Sequence, residues 1–236
     1  MLPGMAHRPP TSVSGELVSS EKISIRLFRP DDLDALYRVC LRTADSGRDA
    51  TALFGDPMLP GHVYAAPYAV LEPSLAFVAV GPDGVAGYVV GALDSTVFAR
   101  RLEERWWPGL RSRYPDPPAS LPEDRWTRDQ QVARLIHHPY PVPAELAGRY
   151  PSHLHINLLP PLQGHGVGRR LIDTLTGALR AHGSPGLHLS VGAGNPRAAG
   201  FYGRVGFTEI PSGSPAARVF VMALSGGPAN PRQTTG

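Results

Sequence analysis

Hydrophobic and polar positions in the first hundred residues predict strands around one helix. Apolar and polar residues alternate over 23–27, which is the pattern of a half-buried strand. Apolar residues at helical spacing over 33–40 predict an amphipathic helix. Two apolar runs at 75–80 and 85–93 flank the turn sequence Gly-Pro-Asp-Gly and together predict a β-hairpin. The loop-rich segment 42–74 is expected to shape a binding pocket.

The stretch 153–207 has the most regular pattern: a strand, a glycine-rich turn, a helix, a second strand and a second helix. Successive side chains of a strand point to opposite faces. The first strand therefore has one apolar face and one polar face, and the polar face carries His153, His155 and Asn157. The helix after the turn has a buried stripe formed by Leu171, Ile172, Leu175 and Leu179.

The turn before this helix has the sequence Gln-Gly-His-Gly-Val-Gly at 163–168. Small residues before a helix leave backbone N–H groups open to an anion, and the positive end of the helix favours phosphate. A P-loop is excluded because it requires Lys and then Ser or Thr after its last glycine, whereas Gly168 is followed by Arg169. A dinucleotide-binding fingerprint is disfavoured because the run is G-x-G-x-G and lies late in the chain.

Two motifs carry a resemblance to a known family. The first is Gln163, two residues, Gly166, one residue and Gly168, after a strand that ends in Leu-Leu-Pro. The second begins at Asn195, the expected cap of a helix, and continues through that helix with Phe-Tyr to Gly-Phe at 206–207. The chain thus resembles the GNAT N-acetyltransferase superfamily. More narrowly, it is similar to the acetyltransferase-like C-terminal domain of O-GlcNAcase and to free-standing bacterial relatives of that domain.

The resemblance implies an α/β fold with a mixed, mostly antiparallel central sheet, a splayed pair of parallel strands and flanking helices. It also implies acetyl-CoA as the acetyl donor. The pantetheine would pair with backbone in the gap between the splayed strands, and the diphosphate would lie on the N–H groups of the turn. The residues expected to contact acetyl-CoA are Leu158, Leu159, Gln163, Gly164, His165, Gly166, Val167, Gly168, Arg169, Asn195, Tyr202 and Arg204.

Four residues are candidates for the chemistry. The resemblance implies that Tyr202 protonates the leaving thiolate, although packing of the helix is the alternative role. Asp94, at the end of a predicted strand, would act as a base towards an amine, or would cap the helix that follows. His155 suits proton transfer near neutral pH, and Asn157 would position the acceptor or an ordering water.

The predicted reaction is direct transfer of the acetyl group to an amine within a ternary complex. The alternative is an acetyl-CoA-binding module with weak or no activity, because a domain of the narrower group can keep the fold and lose the chemistry. The sequence leaves the acceptor open, whether a protein lysine or a small molecule, and it leaves the length of the acyl chain open as well.

Composition and charge limit which partners and which cellular compartment are expected for this chain. The chain has 236 residues, a net charge of +3 and a single cysteine, Cys40, so no internal disulfide forms. With no signal-like N-terminus and no run of about 18 apolar residues, a cytoplasmic location and no membrane partner are expected. Nucleic acid is not expected as a partner because the basic residues form no uninterrupted patch. No metal is predicted, since no carboxylate or cysteine completes a set with the histidines.

The predicted organisation is one GNAT domain at 21–225 between disordered tails at 1–20 and 226–236. Segment 96–149 is interpreted as an insertion, because an ordinary member of the superfamily has no insertion of this size. Its aromatics lie among arginines, so they pack an irregular helix onto the domain or hold an acidic or planar ligand. These aromatics are Trp106, Trp107 and Trp126.

Overall fold

The computed structural model of this chain describes residues 23–224, so the predicted tails at 1–20 and 226–236 lie outside the described residues. None of the helices within 23–224 is long and apolar enough to cross a membrane. The strands are β1 Ser24–Leu27, β2 Ala76–Gly81, β3 Gly84–Ala92, β4 Ser152–Leu158, β5 Gly186–Gly192, β6 Thr208–Ile210 and β7 Ala217–Ala223. The helices are α1 Leu33–Leu41, α2 Leu59–Tyr64, α3 Ala66–Leu71, α4 Ser95–Arg105, α5 Trp107–Arg113, α6 Arg128–His137, α7 Ala144–Arg149, α8 Val167–Ala181 and α9 Pro196–Arg204.

The seven strands form one mixed sheet in the order β1-β2-β3-β4-β5-β7-β6. Strand β4 pairs with β5 in parallel, and the other neighbours in the sheet are antiparallel. The parallel pairing covers only Ser152↔Leu187 and His153↔His188. Strand β4 nevertheless remains paired with β3 as far as Leu158, and β5 remains paired with β7 to its end. The two parallel strands therefore diverge after His153, as the resemblance implies.

Helices cover both faces of this sheet. The predicted stripe of α8 packs on one face, against the apolar side of β4, and its four residues are fully buried: Leu171, Ile172, Leu175 and Leu179. Burial of side chains of this size stabilises the fold by roughly 1.5–3 kcal/mol each. Helices α1, α3 and α4 pack on the opposite face. The polar side of β4 lies beneath this second group of helices.

The segment between α1 and β2 differs from the loop that its sequence predicts. It contains the two short helices α2 and α3. Pro60 and Pro67 contribute to the loop-like sequence of this segment, but each lies within the first two positions of one of these helices. Proline is compatible with that place because its missing N–H would have no partner in the first turn anyway.

The insertion forms α4 to α7 and adds a third apolar cluster that includes Leu59 of α2. Trp107 is 3% exposed within this cluster. Trp106 packs at its margin and donates its indole N–H to the carbonyl oxygen of His62 at 2.9 Å. Trp126 donates its indole N–H to the carbonyl oxygen of Leu121 at 3.0 Å. The prediction that these aromatics pack the insertion onto the domain is confirmed for Trp106 and Trp107.

Candidate active site

The glycine-rich turn lies at the start of α8, where Gly166 is the cap residue. Gly164 and Gly166 have φ angles of 82° and 73°, a region that favours glycine. In the described part of the chain, the six backbone N–H groups of 164–169 donate to no protein acceptor. Six free donors at the positive end of a helix are suited to a phosphate group.

Both ends of α9 contact residues of this turn, the start through a side chain and the end through a backbone carbonyl. Gln163 donates its amide to the carbonyl oxygen of Leu158 at 2.7 Å and so closes the turn. Arg197 donates to the amide oxygen of Gln163, and Arg169 donates to the carbonyl oxygen of Arg204. The exposed guanidinium groups of Arg169 and Arg197 therefore lie beside the predicted diphosphate site, and the sequence prediction had missed Arg197.

Gly168 sets the distance between α8 and α9. A Cβ atom at this position would lie 3.0 Å from the ring of Phe201 and 3.4 Å from a methyl group of Leu158. A larger residue would therefore push the start of α8 away from α9 and from the end of β4. Glycine at the last motif position is explained by this close packing.

The gap between β4 and β5 leads from the closed end at His153 to the turn. The residues after His153 in β4 have no pairing with β5. The two residues predicted to meet pantetheine already have protein partners, since the Leu158 carbonyl accepts from Gln163 and the Leu159 N–H donates to Ala86 at 2.9 Å. The open backbone of the gap is thus the part of β4 before Leu158.

The polar face of β4 carries a continuous set of hydrogen bonds. The hydroxyl of Tyr68, on α3, lies 2.8 Å from Nε2 of His153 and 3.1 Å from Nε2 of His155. Nδ1 of His153 lies 2.7 Å from the hydroxyl of Ser95, the first residue of α4. The alternation predicted for this strand therefore brings His153 and His155 to one side, where helices α3 and α4 supply partners.

Asn157 belongs to a second network on the same face. Its side-chain oxygen accepts from the hydroxyl of Tyr88 at 3.0 Å, and its amide donates to the hydroxyl of Thr43. Thr43 in turn donates to the carbonyl oxygen of Val39 at 2.7 Å. Since Tyr88 is fully buried, these bonds hold Asn157 in a fixed orientation at the floor of the site.

Burial keeps both histidines of β4 neutral near pH 7. It lowers the pKa of His155 to about 4, although the ring is part-exposed. The pKa of His153 is held well below its usual range by burial first and then by the neighbouring His155 and His188. A neutral imidazole is a hydrogen-bond acceptor, whereas an imidazolium is not.

Asp94 lies at the far end of β3 from the turn. Ala92 pairs with His153, whereas Gly87 pairs with Leu158, so Asp94 lies beyond the closed end of the gap. One carboxyl oxygen of Asp94 accepts from the N–H groups of Thr96 and Val97 at 2.8 and 2.9 Å. The structure therefore gives Asp94 the helix-cap geometry that was the alternative to a catalytic role.

Tyr202 and Asn195 are both on α9. Tyr202 is 8% exposed and packs among Phe201, Phe207 and Phe220. Its burial raises the pKa of the phenol above its usual range, so the group stays protonated. Asn195 caps the helix by accepting from the N–H of Ala198 at 3.0 Å. The cap predicted for Asn195 is confirmed, and contact of either residue with coenzyme remains a prediction.

The sequence predicted some of the residues that form this site and missed others. It brings His155 and Asn157 together and places the predicted turn at the end of the same strand. It also adds Tyr68 and Tyr88, which the sequence prediction had missed. Within residues 23–224, no group of three or more His, Cys, Asp and Glu side chains is arranged to hold a metal ion.

Comparison with known proteins gives a consistent result. A sequence model described as the acetyltransferase (GNAT) family matches residues 66–207, more than half of the chain. Protein O-GlcNAcase of Rattus norvegicus is 24% identical over 198 residues, which cover 81% of this chain and 21% of that protein. The chain thus spans about a fifth of the length of the curated relatives that it matches.

Solved structures show the same fold. The crystal structure of SsHAT is 37% identical with a TM-score of 0.78, over 87% of this chain and 100% of that chain. A phosphinothricin acetyltransferase of the GNAT superfamily from Sinorhizobium meliloti, solved in complex with AcCoA, is 13% identical with a TM-score of 0.51. That match covers 86% of this chain and 88% of the other and supports the fold alone.

Proposed function

The chain belongs to the GNAT acetyltransferase family, and from that premise we propose that it transfers the acetyl group of acetyl-CoA to an amine. Both substrates bind together, with the coenzyme in the gap between β4 and β5 and the acceptor on the polar face of β4. Residues 23–224 act as one catalytic domain in which the insertion 96–149 is a structural addition.

One observation carries this proposal: the gap between β4 and β5 opens at His153 and ends at a turn with six free backbone N–H groups. An extended, polar chain with a diphosphate at one end fits such a channel. Arg169 and Arg197 supply positive charge at the diphosphate end. Membership of the GNAT acetyltransferase family supports the same choice of donor.

The proposed chemistry is a direct attack. The amine nitrogen forms a bond to the thioester carbonyl carbon, the carbon–sulfur bond then breaks, and one proton moves from the nitrogen to the departing sulfur. A backbone N–H of the open β4 segment stabilises the negative oxygen. Tyr202 is the proposed donor towards sulfur, and its raised pKa ensures that it carries a proton when the reaction begins.

The acceptor side is assigned to His155 and Asn157. Neutral His155 accepts a hydrogen bond from the amine N–H, and Asn157 fixes the position of the amine or of an ordered water. Asp94 is retained as a candidate base because only one of its carboxyl oxygens is used by the cap. The acceptor class, protein lysine or small molecule, is left to the assay.

A specific observation favours the second candidate, an acetyl-CoA-binding module with weak or no activity. The lowered pKa of His155 makes it a poor proton acceptor, and the carboxylate of Asp94 already accepts two backbone N–H groups. On this alternative the gap and the turn bind coenzyme, but nothing withdraws the proton of the amine efficiently.

The first test is calorimetric titration of the full chain with acetyl-CoA. We expect a Kd on the order of micromolar and loss of binding in Gly166→Trp, which fills the turn. The matched control is Gly183→Trp at the other end of α8, because Gly183 has a similar φ of 80° and equally open surroundings. Both variants carry the same backbone strain, so only loss of the phosphate site separates them.

The second test measures thiol release from acetyl-CoA with a panel of amines and lysine peptides. Acetyl-CoA binding with amine-dependent thiol release supports the transferase. Binding without release from any amine supports the binding module. No binding by wild type would remove both candidates.

A further inference from the structure

A directed chain of hydrogen bonds ends at His155. It begins at the carbonyl oxygen of Pro151, which lies 2.7 Å from the hydroxyl oxygen of Ser95. It continues from Ser95 to Nδ1 of His153 at 2.7 Å, and from Nε2 of His153 to the hydroxyl of Tyr68 at 2.8 Å. The last step joins Tyr68 to Nε2 of His155 at 3.1 Å.

The carbonyl at the start fixes the direction of the whole chain, because a carbonyl oxygen accepts and cannot donate. Ser95 has one hydroxyl proton and uses it for Pro151, so Nδ1–H of His153 must donate to Ser95. Nε2 of His153 is then bare and accepts from Tyr68. The Tyr68 oxygen in turn accepts from Nε2–H of His155.

If the hydrogen bonds ran in the opposite direction, two oxygen atoms would be left in repulsive contact. If Ser95 donated to His153, its oxygen and the Pro151 carbonyl oxygen would face each other at 2.7 Å with no proton between them. Ser95 is 2% exposed, so water does not separate the two oxygen atoms. The Pro151 carbonyl would keep the backbone N–H of Ser95 at 2.8 Å, but two oxygen lone pairs in direct contact repel each other strongly in a buried site.

We propose that Tyr68 and Ser95 are positioning residues that lock the two β4 histidines into opposite tautomers. His153 is held as the Nδ1–H form, and His155 is held as the Nε2–H form. Nδ1 of His155 therefore carries a lone pair, and it has no protein hydrogen-bond partner within the described residues. This nitrogen accepts the N–H of the acceptor amine, a step that rests on the proposed function, whereas the tautomers do not.

The test is NMR of the full chain with 15N-labelled histidine at pH 7.5, where protonated and bare ring nitrogens give separate signals. The chain has nine histidines, so His153→Gln and His155→Gln variants assign the two rings. We expect a bare Nε2 on His153 and a bare Nδ1 on His155. The opposite pair of tautomers, or an imidazolium on either ring, would overturn the proposal.

Two variants test the lock against a matched control. Tyr68→Phe removes the bridging hydroxyl, so His155 should become a mixture of tautomers. Ser95→Ala removes the hydroxyl at the other end of the hydrogen-bond chain, and His155 should again become a mixture of tautomers. The control is Tyr64→Phe, because the Tyr64 ring also lies edge-on to His155, at 5.6 Å, without a hydrogen bond to it. A change in Tyr64→Phe, or none in Tyr68→Phe, contradicts the lock.

Kinetics separate this proposal from the proposed function. With an amine that is acetylated, Tyr68→Phe should lower kcat by about tenfold while the Kd for acetyl-CoA stays within twofold. A wild-type protein with the expected tautomers but no acetylation of any amine would leave the lock intact and refute the transferase. Full kcat in Tyr68→Phe with mixed tautomers would refute the role of the lock in positioning the acceptor.

Discussion

The two neutral histidines of β4, His153 and His155, predict that this protein loses stability in mild acid. In the unfolded chain a histidine takes up a proton near pH 6.5. In the folded chain burial lowers the pKa of His155 to about 4, and burial together with the neighbouring His155 and His188 holds the pKa of His153 well below its usual range. Between these values the unfolded state binds more protons than the folded state, so the free energy of unfolding falls as the pH falls.

The magnitude follows from linkage. Each histidine that stays neutral in the folded chain lowers the free energy of unfolding by about 1.4 kcal/mol per pH unit below pH 6.5. For His155 the loss between pH 6.5 and 5 is therefore ~2 kcal/mol, and part-exposure of its ring reduces this to ~1–2 kcal/mol. The stability is fully present above pH 6.5 and is lost progressively towards pH 4.

The assay is urea unfolding followed by tryptophan fluorescence at pH 8, 6.5, 5.5 and 5. His155→Gln is compared with wild type because glutamine keeps a polar group but does not titrate. At pH 8 the two proteins give a baseline difference, and below pH 6.5 the stability of the variant should fall less steeply. His62 and His188, whose pKa values burial also lowers, contribute equally to both proteins. Parallel stability curves for the two proteins would refute a neutral, buried His155.

Three further substitutions test roles assigned above. Asp94→Ala should lower the free energy of unfolding by about 1 kcal/mol through loss of the helix cap, whereas Asp94→Asn keeps the cap and most of the stability. Turnover should be retained in Asp94→Asn, and a loss of turnover at full stability would identify the carboxylate as the base. Asn157→Ala should cost ~1–3 kcal/mol because it leaves the buried Tyr88 hydroxyl unpaired; in a double-mutant cycle, addition of Tyr88→Phe should recover part of that loss. Trp107→Ala should lower the free energy of unfolding by ~3–5 kcal/mol because it opens a cavity in the insertion. The Kd for acetyl-CoA, measured by calorimetry, should not change. Weaker acetyl-CoA binding without loss of stability would favour a ligand-holding role for this tryptophan.

The parts of the site that the sequence predicted are local in the chain. The turn, the stripe of α8 and the cap at Asn195 depend on residues within a few positions of one another, so spacing and residue type were sufficient. The two faces of β4 were also predictable, because alternation is a property of any strand. The splayed strands were expected from the resemblance, and the register confirms them.

The partners of the polar face could not be predicted because they are distant in sequence. Tyr68 precedes His153 by 85 positions and Tyr88 precedes Asn157 by 69. Nothing in the local pattern around either tyrosine distinguishes it from a core aromatic. The prolines of segment 42–74 also concealed the helix that carries Tyr68, because proline suits the start of a helix as well as a loop.

The insertion explains how α3 is held over β4. Helix α2 packs on the insertion through Leu59 and through the bond from Trp106 to the carbonyl of His62. Helix α3 begins only two residues after α2 ends, so support for one helix fixes the start of the other. Tyr64 at the end of α2 packs against both the insertion cluster and the apolar cluster that α1, α3 and α4 form with β2 and β3. The insertion therefore supports the polar face of β4 indirectly, because it holds the helix from which Tyr68 hydrogen-bonds to both histidines.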